Sequence, residues 1–246
     1  MFDSIKKKFQ FKFKDRTNAA NILAAALEDF LEEEGRKRER KNTLIVVLGI
    51  PRGGVIVADI VAKKLKASDL DIVLPRKLRI PHNEEAAFGA IMEDGTIYLD
   101  DRLVKDLDIS VEYIEKEKNL QLQEIERRKS LYKNTSKQQE RQLENKINDN
   151  TIVILTDDGA ASGATVITAA RSIRKNSFNN AKELIIALPV APKETVELLR
   201  KESAVDHVEV ITAPSSFFNS VGQFYQNFQP VSDEQVVEII KKWNTL

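Results

Sequence analysis

The run Thr151–Ala170, TIVILTDDGAASGATVITAA, limits what the chain can fold into more than any other stretch. Ile152, Val153, Ile154 and Leu155 follow one another without a polar break, as in a buried strand, and the residues after Ala164 recur at helical spacing. A strand feeding a tight turn that opens a helix belongs to an open α/β sheet, where ligands bind in the crevice beyond the carboxyl ends of the strands. Gly159, Ala160, Ala161, Ser162, Gly163 and Ala164 carry almost no side chain. Backbone amides there can approach a phosphate, aided by the positive end of the helix dipole. Ser162 and Thr165 add hydroxyl donors. Asp157 and Asp158 stand immediately before this anion site, and carboxylates repel phosphate. Their partner is therefore a hydroxyl-bearing or metal-bearing part of the same ligand, as in a sugar phosphate. An ordinary connection with solvated aspartates is the plain alternative. No Lys follows Gly163, which excludes a Walker A loop, and Gly159 occupies the place where an Asp-x-Asp phosphohydrolase needs its second acid.

Composition narrows the rest. The chain has 246 residues and 42% hydrophobic content, enough for one large domain, with a core expected at about 43–213 and terminal segments at about 1–42 and 214–246 forming a small hood. Thirty-eight basic residues balance thirty-eight acidic ones, so no global field draws the chain to nucleic acid or to a membrane, and anion binding must be local. The absence of cysteine removes disulfides and thiolate catalysis and fits a reducing compartment. The opening MFDSIKKKFQFKFKD alternates Lys with Phe and has no long apolar stretch, so it reads neither as a signal peptide nor as a spanning helix, and a cytoplasmic protein is expected.

Lys6–Lys14 reads as an edge strand or an arm packing Phe9, Phe11 and Phe13, with a nucleic-acid or membrane-surface arm as the other reading. A helix follows from Thr17, with Gly35 as its stop. Leu44–Ile50 is a second buried-strand pattern, running into Gly49-Ile50-Pro51-Arg52-Gly53-Gly54 and then a helix over Val55–Leu65. Pro51, Gly53 and Gly54 shape a turn with exposed amides and Arg52 adds a fixed charge, so this loop either holds a second anion or is a structural turn. Asp71–Leu74 is a strand, and Arg76–Glu85 a polar, charged loop. Phe88–Met92 and Thr96–Leu99 flank Asp94-Gly95 as a hairpin. Asp108–Lys133 reads as a long surface helix, solvated or available to a second copy of the chain. Glu183–Val190 is a strand, Pro192–Lys201 a helix and His207–Thr212 a strand, so strands alternate with helices in a parallel sheet flanked on both faces. Phe217, Phe218, Phe224, Tyr225 and Phe228 crowd one segment, where they either sandwich a planar base or form a satellite cluster. Ser232 and Gln235 form a capping box at the start of a terminal amphipathic helix.

The segment of apolar strand, two acids, short loop and Ser162-Gly163-x-Thr165 resembles the 5-phosphoribosyl 1-pyrophosphate (PRPP) signature of type I phosphoribosyltransferases, with Ser162 where the family usually has Thr. "GIPRGG" is similar to that family's pyrophosphate loop. The order of Asp15-Arg16, "GIPRGG", "RKL", "E..FGA..EDG", "DDG", "PV" and "VGQFY" resembles a little-characterised microbial group of such proteins. The resemblance implies a Rossmann-like core with a flexible-loop hairpin. Asp157 and Asp158 would grip the ribose hydroxyls, and Gly159–Thr165 the 5′-phosphate. Pro51, Arg52, Gly53, Gly54 and Arg76 would hold the pyrophosphate, with Lys77 on the leaving group. Mg²⁺ would be held through PRPP itself, with no direct protein ligand. The acceptor would be a nitrogenous base. Hypoxanthine–guanine members carry an Asp where Ala161 stands, whereas adenine-type members lack it and place an acid on the mobile loop. The resemblance thus makes Glu85 the candidate base, with Glu84 behind it, unless the acceptor is an amine or already deprotonated and needs none. A non-catalytic PRPP sensor is the rival class.

Overall fold

In a computed structural model, residues 12–33, 43–133, 148–176, 179–215, 218–243 and 245 are described. Five parallel strands form the central sheet: β1 (Leu44–Gly49), β2 (Asp69–Ile72), β6 (Thr151–Thr156), β7 (Glu183–Val190) and β8 (His207–Thr212), in the order β2-β1-β6-β7-β8. The chain leaves β1 toward one edge and later returns to its other side as β6. Between those two strands lies the topological switch point, where both carboxyl ends open onto one crevice.

Strand alternation sorts the core into two halves. Val46 and Leu48 of β1, with Val153 and Leu155 of β6, pack under α5 (Ala164–Lys175) and α6 (Lys193–Arg200). Ile45 and Val47, with Ile152 and Ile154, pack under α1 (Arg16–Glu32) and α2 (Gly53–Lys64). Every residue of β6 is buried, as its unbroken apolar run requires. The caps are local: Asp15 accepts from the Asn18 amide at 2.8 Å to start α1. Ser232 and Gln235 exchange bonds of 3.3 and 2.9 Å to start α7 (Asp233–Trp243).

A second, antiparallel sheet joins β3 (Arg76–Ile80), β4 (Asn83–Ile91) and β5 (Ile97–Leu99), followed by the short α3 (Asp101–Asp106). The expected hairpin at Asp94-Gly95 is the β4–β5 turn. Two expectations are corrected here. The charged run from Arg76 is not an open loop: it forms β3 and enters β4, because Leu78, Phe88 and Ile91 bury completely. The helix over Val111–Lys133, α4, is not a surface rod either, since Ile114, Ile125 and Tyr132 cover that sheet together with Val236 and Ile240 of α7.

The terminal segments meet as a hood. Phe13 is fully buried and forms a bridge to Tyr225, with Phe13 N donating to Phe224 O at 2.8 Å and Gln226 N to Phe13 O at 2.8 Å. Phe9 and Phe11 lie outside the described residues. Among the described residues, no helix is long and apolar enough to cross a membrane.

Candidate functional site

The two acids sit at the carboxyl end of β6 and face the first turn of α2. Asp157 Oδ1 accepts from the Asp158 amide at 2.7 Å. Asp158 Oδ2 accepts from Arg16 Nε at 2.7 Å, and both side chains of that pair are largely covered. Only glycine permits this approach. A Cβ on Gly53 would overlap Asp158 Oδ2, and one on Gly54 would come within 2.7 Å of Asp157 Cα. Burial, followed by the charge of Asp158, pushes the Asp157 carboxyl well above the ordinary carboxylate range. Burial also raises Asp158, against the opposing pull of Arg16. The site thus holds one carboxyl, Asp157, whose charge is disfavoured, beside a second, Asp158, that Arg16 compensates.

The loop beyond them matches the anion-binding reading in form. Gly163 caps α5 at φ 77° and Gly159 adopts φ 155°, both backbone states that disfavour a side chain. Ala160 and Ala164 are buried while Ala161 and Ser162 face solvent, so no side chain blocks the turn. Thr195 Oγ1 donates to Ala161 O at 2.6 Å and fixes its outer edge. The first α5 amide with an intrahelical acceptor is that of Ile167, to Gly163 O at 2.8 Å, which leaves the amides of Thr165 and Val166 without one.

Across the crevice, Arg52 precedes α2, its side chain 42% exposed, with Nη1 4.0 Å from Asp233 Oδ1. The Pro51–Arg52 peptide is cis. Lys77 is exposed on β3, and its charge reaches Asp157. Gly53 and Gly54 therefore meet Asp158 and Asp157, with Arg52 next to them in the chain, the 159–165 loop directly after the acids and the charge of Lys77 within reach of Asp157. Arg76 does not join them. It packs toward α4, with Nε donating to Gln121 Oε1 at 3.1 Å, because alternate residues of a strand face opposite ways.

The aromatic segment is also corrected. Phe224 and Tyr225 are 1% and 4% exposed and pack with Phe13, so neither can sandwich a base. Phe218 is half-buried against Phe224, with ring centroids 5.1 Å apart, and Phe217 lies outside the described residues. Glu85 belongs to β4, but its side chain and that of Glu84 are likewise outside them. Sequence reasoning missed how the hood serves the site. Arg16 Cζ lies 3.8 Å from the centre of the Phe228 ring, and Tyr225 Oη donates to Asp158 O at 2.6 Å. The adjacency of Asp15 and Arg16 was visible, but the partner of Arg16 lies 142 positions away.

Fold and site together define an α/β protein with two acids and a side-chain-poor loop at the switch point of its parallel sheet. The family model of the phosphoribosyl transferase domain matches residues 15–219. Two provisionally named phosphoribosyl transferases of Mycobacterium tuberculosis, from strains CDC 1551 and H37Rv, are 34% identical over 230 residues, 94% of this chain. The chain spans about half the length of these relatives, 46% of each. The crystal structure of TT1426 from Thermus thermophilus superposes with a TM-score of 0.67 at 32% identity, covering 95% of this chain and 99% of that one. The chain belongs to the type I phosphoribosyltransferase family.

Proposed function

We propose that the chain transfers the 5-phosphoribosyl group of PRPP to a nitrogenous acceptor, a nucleobase, and releases pyrophosphate. The observation that supports this reading is that Asp157 and Asp158 lie against Gly54 and Gly53, just after Arg52, and directly before the bare 159–165 loop. The amides of the α5 N-terminus and the hydroxyls of Ser162 and Thr165 take the 5′-phosphate. The two carboxylates accept from the ribose hydroxyls with the oxygens that the Asp158 amide and Arg16 leave over. Arg52 and Lys77 face the pyrophosphate, and Arg76 does not.

In the reaction the bond from the anomeric carbon to the pyrophosphate oxygen breaks, with the electron pair leaving on pyrophosphate. A bond to the acceptor nitrogen forms, and the nitrogen loses its proton to a base. The carboxylates stabilise positive charge at the ribose, while Arg52 and Lys77 stabilise negative charge on the leaving group. Mg²⁺ carried by PRPP would neutralise pyrophosphate charge there, held by the ligand's own oxygens. Glu85 is the candidate base. One observation favours a second reading, a PRPP-binding regulator: Arg16 already holds Asp158 at 2.7 Å, as a ligand hydroxyl would otherwise do.

Calorimetric titration with PRPP and Mg²⁺, followed by pyrophosphate release across a panel of nucleobases, tests both. Binding with release supports the transferase. Binding without release on any base supports the regulator, and absence of binding overturns the site.

A further inference from the structure

The face of β3 turned away from the acids carries a second concentration of charge. Arg76 and Arg79 of β3 and Arg127 and Arg128 of α4 line an open groove of about 470 Å³, with Leu120, Gln121, Gln123 and Glu124 completing it. Strict alternation would set Arg76 and Arg79 on opposite faces. The β3–β4 register shifts between Leu78 and Arg79 and again between Arg79 and Ile80, and both arginines meet α4. A buried relay holds them there. The Arg79 amide donates to Glu117 Oε1 at 3.1 Å, Gln121 Nε2 donates to the same oxygen at 2.9 Å, and Gln121 Oε1 receives Arg76 Nε. Glu117 and Gln121 are only 6% and 2% exposed.

The charges do not balance. Glu124 alone serves both Arg127, at 2.7 Å, and Arg128, at 2.8 Å, and these bonds, that from Arg127 foremost, draw its carboxyl down to about 2. Among the described residues Arg76 makes no direct ion pair. Burial and then the charge of Arg128 lower its guanidinium to about 10. Within the groove, Arg76, Arg127 and Arg128 against Glu124 and Glu117 leave an excess of positive charge, with Arg76 fixed by Gln121. Planar guanidinium forks match phosphate oxygens bidentately. The volume far exceeds a single phosphate and falls within the range of small-ligand pockets. Leu120, 52% exposed on the rim, offers apolar surface to an organic portion.

The geometry points to a second anion site in this groove, separate from the crevice at Asp157 and Asp158, that takes the polyphosphate group of a small phosphorylated metabolite. Its test is calorimetric titration of the full chain with ATP in EDTA, and in parallel with inorganic tripolyphosphate. Compared are the unaltered chain, Arg76→Gln/Arg128→Gln, the exposed single variant Arg127→Gln, and Ser162→Ala/Thr165→Val in the other crevice. The expected result is binding that weakens by more than about tenfold in the double groove variant and about threefold in Arg127→Gln, with the loop variant within about twofold of the unaltered chain. Binding of ATP but not tripolyphosphate assigns part of the recognition to the organic portion, and equal binding assigns it to the phosphates; either supports the site. No binding at about 1 mM, or loss only in the loop variant, overturns it. So does a groove variant that changes the sedimenting mass and leaves titration unaltered, which would make the groove a contact between copies. Loss of PRPP binding in the loop variant reports on the other crevice alone, so the two readings fail separately.

Discussion

At the scale of single residues, the most informative feature is that the free protein keeps Asp157 in a place that disfavours its charge. A carboxyl raised above its unfolded value stabilises the fold while protonated, and that contribution is lost as pH rises through the folded-state value. The free protein therefore loses stability through Asp157 as pH rises above the ordinary carboxylate range. Asp157→Asn retains an oxygen for the Asp158 amide and removes the charge. It should melt higher than the unaltered chain at pH 8 by about 2–4 °C, the shift that ~1 kcal/mol makes in a chain of this size. The gap should close below the ordinary carboxylate range, where both side chains are neutral. The same substitution should weaken PRPP binding by about tenfold or more. Thermal scans at pH 8 and pH 3 with PRPP titration check the pair of effects, and a variant less stable at pH 8 would contradict the account.

At the scale of elements, the approach of α2 to the end of β6 decides the site. Its glycines differ in what they do. Gly54 faces backbone, so Gly54→Ala forces strand and helix apart and should cost about 1–3 kcal/mol in urea unfolding. Gly95, at φ 79° with open space around it, should cost only about 1 kcal/mol on the same substitution, from backbone strain alone. Equal costs would mean that space at Gly54 is not limiting. The same scale explains what could be read beforehand. β6 and β7 were legible almost to their ends because strands buried on both faces have an almost uninterrupted apolar sequence. β3 was not, because Arg76, Lys77 and Arg79 present charge to both sides and only Leu78 reports a core. The acids and the bare loop were legible from local chemistry. Arg16, Phe228 and the burial of Tyr225 were not, because they depend on chain ends meeting.

At the scale of the molecule, α4 and α7 join the second sheet to the crevice. Buried Tyr132 donates to Asp233, whose carboxylate stands 4.0 Å from Arg52. Burial, then that bond and charge, raises the Tyr132 hydroxyl, so it remains a donor at any physiological pH. Tyr132→Phe keeps the packing and removes the bond, and should cost about 1–2 kcal/mol by urea unfolding. Asp233→Asn removes the carboxylate that competes for Arg52. Pyrophosphate should then bind about twofold more tightly by calorimetry, the small gain expected of a partly exposed pair. Weaker binding would show that Asp233 positions Arg52 instead of competing with anions for it.

The irregular pairing in the middle of β3 also restricts how the chain can tolerate length changes. One extra residue, Phe88, lies on β4 opposite the Leu78–Arg79 step, so deleting it would even that step of the pairing but turn over every β4 side chain beyond the cut. Insertions and deletions in this hairpin should thus be confined to the Pro81-His82 tip, where an added residue leaves the sidedness of both strands intact.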